Sequence, residues 1–222
     1  MGASADLRRG AAGIWEAQHR HPFVTGIGDG TLARERFGIW VRQDYLFLIE
    51  YARLLALGAA RAPDVATMAR LAELARTILE EEMSLHRGYA AELGISGDEL
   101  EAETMLPTTR GYTDFLVRTA AQGDFAELVA ALLPCMWGYC EVGERLAAGA
   151  GPGDAHLAKW IEMYSAPEFA ELARWCRGLM DRVADGAGAA ALERMERAFV
   201  TSSRYELAFW EMAWVGEEWP AT

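Results

Sequence analysis

The sequence predicts an all-α fold, a single multi-helix bundle spanning residues 1–222, on three observations. No segment alternates apolar and polar residues as a half-buried strand does. Apolar residues instead recur three and four apart through long runs. Proline, glycine, aspartate and threonine stand where such runs should begin and end. No long-period repeat and no low-complexity linker divides the chain, and a hydrophobic content of 52% is ample for one large core.

From Asp6 to about His19, Leu7, Ala11, Ile14, Trp15 and Gln18 give helical spacing. Pro22 and the cluster Gly26 to Gly30 are expected to break it, and Thr31 offers an N-cap for a long second helix reaching about Ala60. Within that helix Trp40, Asp44, Phe47, Leu48 and Tyr51 form one stripe, so a carboxylate interrupts an aromatic face. Asp44 is either a buried acid paired with arginine or tyrosine, or a functional group. Pro63 opens a third helix to about Leu93, with Met68, Leu71, Ala75, Ile78, Leu79, Leu85 and Tyr89 on its apolar face. Glu82 and His86 share that face. Their spacing departs from the Glu-x-x-His of helical di-iron sites and suits a hydrogen-bonded core pair. Gly94 ends the helix.

Residues 95–109 are acidic and rich in turn formers, and Thr108 or Thr109 caps a short helix carrying Tyr112, Phe115 and Leu116. Asp124 caps a fifth helix through Leu132, Leu133, Cys135, Trp137 and Tyr139. Pro134 perturbs the backbone beside Cys135, and Tyr139 lies one turn on along the same face. The thiol there is either a tuned group or an inert packing cysteine. Asp154 caps the next segment, Tyr164 falls at a joint before Pro167, and a last long helix carries Glu206, Phe209 and Trp210 on one face. Ser203-x-x-Glu206 also fits a capping box, which would give Glu206 a purely structural role and interrupt that helix near Ser202.

A net charge of −12 argues against nucleic acid and anionic membranes as partners. The N-terminal residues lack the apolar core of an export signal, and no run of about 18 uninterrupted apolar residues follows. Three cysteines with no CxxC spacing fit a cytoplasmic protein. The four histidines offer neither a Cys–His pair nor a convergent ligand set, so proteolysis, a metal and a cofactor are not expected. One thiol, two carboxylates on aromatic faces and several tyrosines suit a flat, nitrogen-bearing substrate such as an aminopyrimidine.

Four strings carry a resemblance over nearly the whole chain: Gln43-Asp-Tyr-Leu-Phe-Leu-Ile-Glu-Tyr-Ala-Arg53, Leu132-Leu-Pro-Cys-Met-Trp-Gly-Tyr-Cys-Glu-Val-Gly143, Ile161-Glu-Met-Tyr-Ser165 and Ser202-Ser-Arg-Tyr-Glu-Leu-Ala-Phe-Trp-Glu-Met212. They resemble the TenA, or thiaminase II, family. The resemblance implies a haem-oxygenase-like bundle, a homotetramer, and hydrolysis of thiamin-related aminopyrimidines to hydroxymethylpyrimidine in thiamin salvage. It further implies Cys135 as nucleophile, Glu206 as acid/base, Asp44 as partner of the ring nitrogen and amino group, and Phe209 as a stacking wall. By the same resemblance Tyr112, Tyr139 and Tyr164 would complete the substrate pocket, together with Phe47. At that last position the family generally has a tyrosine, which puts rate or substrate preference in question. Two other readings keep the fold: a di-metal oxygenase, and a non-catalytic binder or regulator for a thiamin-related ligand.

Overall fold

The computed structural model describes residues 2–220, and every regular element among them is helical. In chain order these are α1 (Ala3–Gly10), α2 (Ala12–His19), α3 (Pro22–Asp29), α4 (Arg34–Ala60) and α5 (Val65–Thr77). A π-helical turn, Ile78–Glu82, leads into α6 (Met83–Glu92), followed by α7 (Gly97–Glu101) and α8 (Pro107–Gln122). The chain then forms α9 (Phe125–Ala147), α10 (Ala155–Tyr164), α11 (Pro167–Ala184) and α12 (Ala189–Val215).

Several boundaries depart from the sequence reading, each for a local reason. The first predicted helix is two helices, parted at the buried Ala11. The segment expected to break after Pro22 is α3: proline occupies the first turn, the His21 ring accepts from the Phe23 amide, and Gly30 at φ 76° terminates it. Gly26 is there for space, because a Cβ at this position would lie 3.2 Å from the Leu32 amide nitrogen. Thr31 is tied to Asp29 in a turn, so α4 starts at Arg34. In α5, Asp64 is the cap, bonding the Thr67 amide. Gly94, at φ 81°, ends α6 as expected. Ser96 and Glu99 form a reciprocal capping box on α7 inside the segment read as turns, and α8 opens on Pro107 rather than on a threonine cap. Asp154 caps α10 through two amides.

The chain divides into two compact units: residues 2–33 with 126–211, and residues 34–125 with 212–220. In the first, Trp15 is the hub. Its ring stacks on Phe199 at 5.8 Å, meets the Trp137 ring edge-on at 5.2 Å, and donates its indole N–H to Ser203 at 3.0 Å. Helix α9 has the length and hydropathy of a membrane span, but 72% of that window is buried inside the protein. In the second unit α4 packs on α5, α6 and α8. Trp40, Leu54, Leu55, Leu71 and Leu116 are fully buried there, each stabilising by about 1.5–3 kcal/mol. Gln43 fastens the segment before α8, donating to the Thr104 carbonyl and accepting from the Leu106 amide.

Candidate active site

In the first unit the geometry is set by a seam between α9 and α12. Pro134 lies inside α9, so the Ala130 carbonyl loses its normal amide donor. At the next carbonyl, that of Ala131, the Ser202 hydroxyl donates from α12 at 2.7 Å. Two turns further along both helices, the Tyr139 and Trp210 rings lie 5.0 Å apart. The two contacts advance in the same direction on both helices, so α9 and α12 run parallel there. Cys135 follows Ala131 by four residues as Glu206 follows Ser202, so both stand at the same level of the seam, on the faces that meet. Glu206 is 2% exposed, whereas Cys135 is half-buried.

This overturns the capping-box reading of Glu206. Helix α12 is unbroken through Ser202 and Ser203, both fully buried. Ser203 bonds Trp15, and its carbonyl accepts from Gln18. The signal Ser-x-x-Glu is indistinguishable from a capping box until tertiary packing is known.

Tyr139 lies at the centre of an aromatic group. Its ring is 4.9 Å from Tyr164 and 6.0 Å from Trp160, and Tyr164 also meets Trp160 at 4.5 Å and Phe169 edge-on at 5.2 Å. Gly143, one turn beyond Tyr139 on α9, allows this. A Cβ there would stand 2.5 Å from the Tyr164 carbonyl carbon, so α10 can end against α9 only at a glycine. Phe209 is buried on α12.

In the second unit the stripe predicted on α4 is realised. Phe47 lies 5.0 Å from Tyr112 and 5.4 Å from Tyr51. Asp44, 3% exposed, pairs with neither arginine nor tyrosine: its Oδ2 is 2.6 Å from His86 Nε2. The ring N–H is poorly aligned with that oxygen, so close-range charge holds the pair more than a well-directed hydrogen bond does. His86 Nδ1 meets the main-chain carbonyl of Glu82 at 2.9 Å, not its carboxylate. The expected Glu82–His86 side-chain pair is thus replaced by an Asp44–His86 pair.

The π-turn explains the change. One extra residue per turn advances the inward face, so that Met83, His86 and Ala90 are buried while Leu85 is only half-buried. Met68 on α5 and Leu79 in the π-turn itself, both read as apolar-face residues, are exposed. Burial alone would lower the His86 pKa, but the Asp44 carboxylate and the Glu82 carbonyl outweigh it and raise it above the ordinary value. Glu82 keeps part of its length exposed but turns its carboxyl group inward. Burial, helped by the Asp44 and Glu81 charges and opposed by His86, pushes its pKa to about 7. In the first unit burial and the neighbouring Glu144 push the Cys140 thiol up to about 11, which disfavours its thiolate.

Sequence reasoning put His86 on a face with Glu82 and Trp210 on a face with Glu206 and Phe209 but assigned neither to these groups, and it missed Ser202, Gly143 and Trp160 there. Across-helix partners leave no local spacing, and only the invasion of a helix face by histidine hinted at the first. Among the described residues no group of three or more His, Cys, Asp or Glu side chains is disposed to hold a metal ion.

A profile of the TENA/THI-4/PQQC family matches residues 8–216. The aminopyrimidine aminohydrolase of Halalkalibacterium halodurans is 43% identical over 99% of this chain and 98% of its own length. The solved structure of a TenA homologue protein from P. horikoshii superposes with a TM-score of 0.89 at 32% identity, covering 97% of this chain and 100% of the other. A domain of heme oxygenase-like fold from Shewanella denitrificans, only 14% identical, matches with a TM-score of 0.75 over 96% of this chain and 92% of the other.

Proposed function

The chain belongs to the TENA/THI-4/PQQC family, and from that membership we propose that it is an aminopyrimidine aminohydrolase, or thiaminase II. It cleaves the C–N bond at the exocyclic methylene of a thiamin-related pyrimidine, leaving hydroxymethylpyrimidine. The observation that carries the reading is the seam: the half-buried thiol of Cys135 stands at the level of the buried carboxyl of Glu206 on two parallel helices.

In this mechanism Glu206 takes the thiol proton, and the thiolate adds to an electrophilic ring carbon. The protonated Glu206 returns that proton to a ring nitrogen. The electron pair gathered in the ring expels the amine, which enters as an ammonium group and leaves neutral. Water adds to the methylene and loses a proton, and departure of the thiolate with loss of the ring proton restores aromaticity. Asp44 accepts from the ring amino group. Phe47, Tyr112, Tyr139, Tyr164 and Phe209 are assigned to contacts with the flat faces and edges of the substrate.

A cytoplasmic homotetramer that uses no cofactor and binds neither nucleic acid nor membrane is part of the same proposal. The absence of a disulfide at Cys135, Cys140 and Cys176 supports the compartment, and a net charge of −12 supports the lack of nucleic-acid and membrane partners. Sedimentation measures the assembly. The activity is tested by incubating the protein with aminomethylpyrimidine, formylaminomethylpyrimidine and thiamin and identifying products by chromatography. Hydroxymethylpyrimidine is expected from at least one of them. Binding without consumption of any would make the protein a ligand-binding module instead.

A further inference from the structure

His86 is 0% exposed, with Trp40 at 5.4 Å on one side and Tyr89 edge-on at 6.2 Å. Its two nitrogens are not equivalent. The Glu82 carbonyl beside Nδ1 can only accept, so Nδ1 carries hydrogen. A neutral ring would then turn a lone pair at Nε2 toward Asp44 Oδ2, and two acceptors do not rest 2.6 Å apart. The pair therefore keeps one proton and is neutral as a whole, held by close-range charge.

We propose that His86 is a positioning residue for Asp44: it holds Oδ2 and supplies the balancing charge, leaving the other carboxylate oxygen to accept from the amino group of an aminopyrimidine. This rests on the functional reading above and extends it to a residue that touches no reacting atom. The charged groups facing the histidine are Asp44 and Glu82, with Glu81 acting on Glu82. Arg87, the next residue on α6, is turned away to the Tyr45 hydroxyl. Loss of the imidazole proton at alkaline pH sets two acceptors against each other and loosens Asp44, so KM rises while the thiol and its acid, on other helices, keep kcat.

The test compares wild type with His86→Gln, which keeps an N–H donor but cannot titrate, and with His86→Leu, which has neither donor nor charge. For His86→Leu, KM for the aminopyrimidine should rise about 10- to 100-fold, the usual cost of leaving a buried polar group without its partner, with kcat little changed. His86→Gln should recover part of that loss and abolish the alkaline rise in KM. Calorimetric binding of hydroxymethylpyrimidine reads the same split without turnover, so a wild type that binds but does not hydrolyse defeats the functional reading alone. Should His86→Leu fail to fold, His86→Gln and the wild-type pH profile decide. A pH-independent wild-type affinity, or a folded His86→Gln with the wild-type profile, overturns the proposal.

Discussion

Glu82→Gln should make the protein more stable, and only above mildly acidic pH. Glu82 has its pKa raised from an ordinary 4.5 to about 7, chiefly by burial. A carboxyl group raised on folding favours the folded state fully below pH 4.5 and loses that contribution as pH climbs to about 7. Between those values the folded protein keeps a proton that the unfolded chain has released. The difference amounts to about 3 kcal/mol at pH 8, an upper bound because part of the side chain meets solvent. Glutamine cannot ionise, and it leaves the main-chain carbonyl under His86 in place. Urea unfolding of both proteins at pH 4, 6 and 8 measures the effect. The variant should match wild type at pH 4 and exceed it by up to about 3 kcal/mol at pH 8. A gain of equal size at every pH, or a loss at pH 8, would refute the reasoning.

Gly143→Ala drives a Cβ to 2.5 Å from the Tyr164 backbone, so it should cost about 1–3 kcal/mol in thermal unfolding and raise KM by displacing that tyrosine; wild-type values for both would contradict the packing. Iodoacetamide should label half-buried Cys135 ahead of Cys140, whose thiolate is suppressed, with activity loss tracking the first site by mass spectrometry. Labelling led by Cys140 would count against this. Phe47→Tyr places a hydroxyl among the Tyr51 and Tyr112 rings and should raise kcat or shift substrate preference, whereas unchanged kinetics would remove any role for the missing hydroxyl.

Helix content was readable from the sequence because apolar spacing and polar caps report on each segment separately, as at Asp154 and Gly94. Failures came where a local signal has two physical meanings. Pro22 with the glycines that follow reads as a breaker, yet proline in a first turn and a glycine accommodating a neighbouring backbone are both compatible with α3. Ser203 with Glu206 reads as a cap, yet the serine serves Trp15 from inside α12. The π-turn is invisible to a 3.6-residue period, and it decides that His86 meets Asp44 while Leu85 drifts outward. Of the candidate site, Cys135 and Asp44 stood out by residue type on apolar faces. Their surroundings, Ser202 one turn before Cys135 near Pro134 and His86 beside the acid, arise from packing between helices and have no sequence spacing of their own.

The most direct test of cysteine-dependent hydrolysis is the initial rate of hydroxymethylpyrimidine formation by Cys135→Ala beside wild type, with both shown to be folded by circular dichroism. Loss of the nucleophile should cut the rate by at least about a thousandfold while pyrimidine binding persists. Undiminished turnover by the alanine variant would contradict the mechanism.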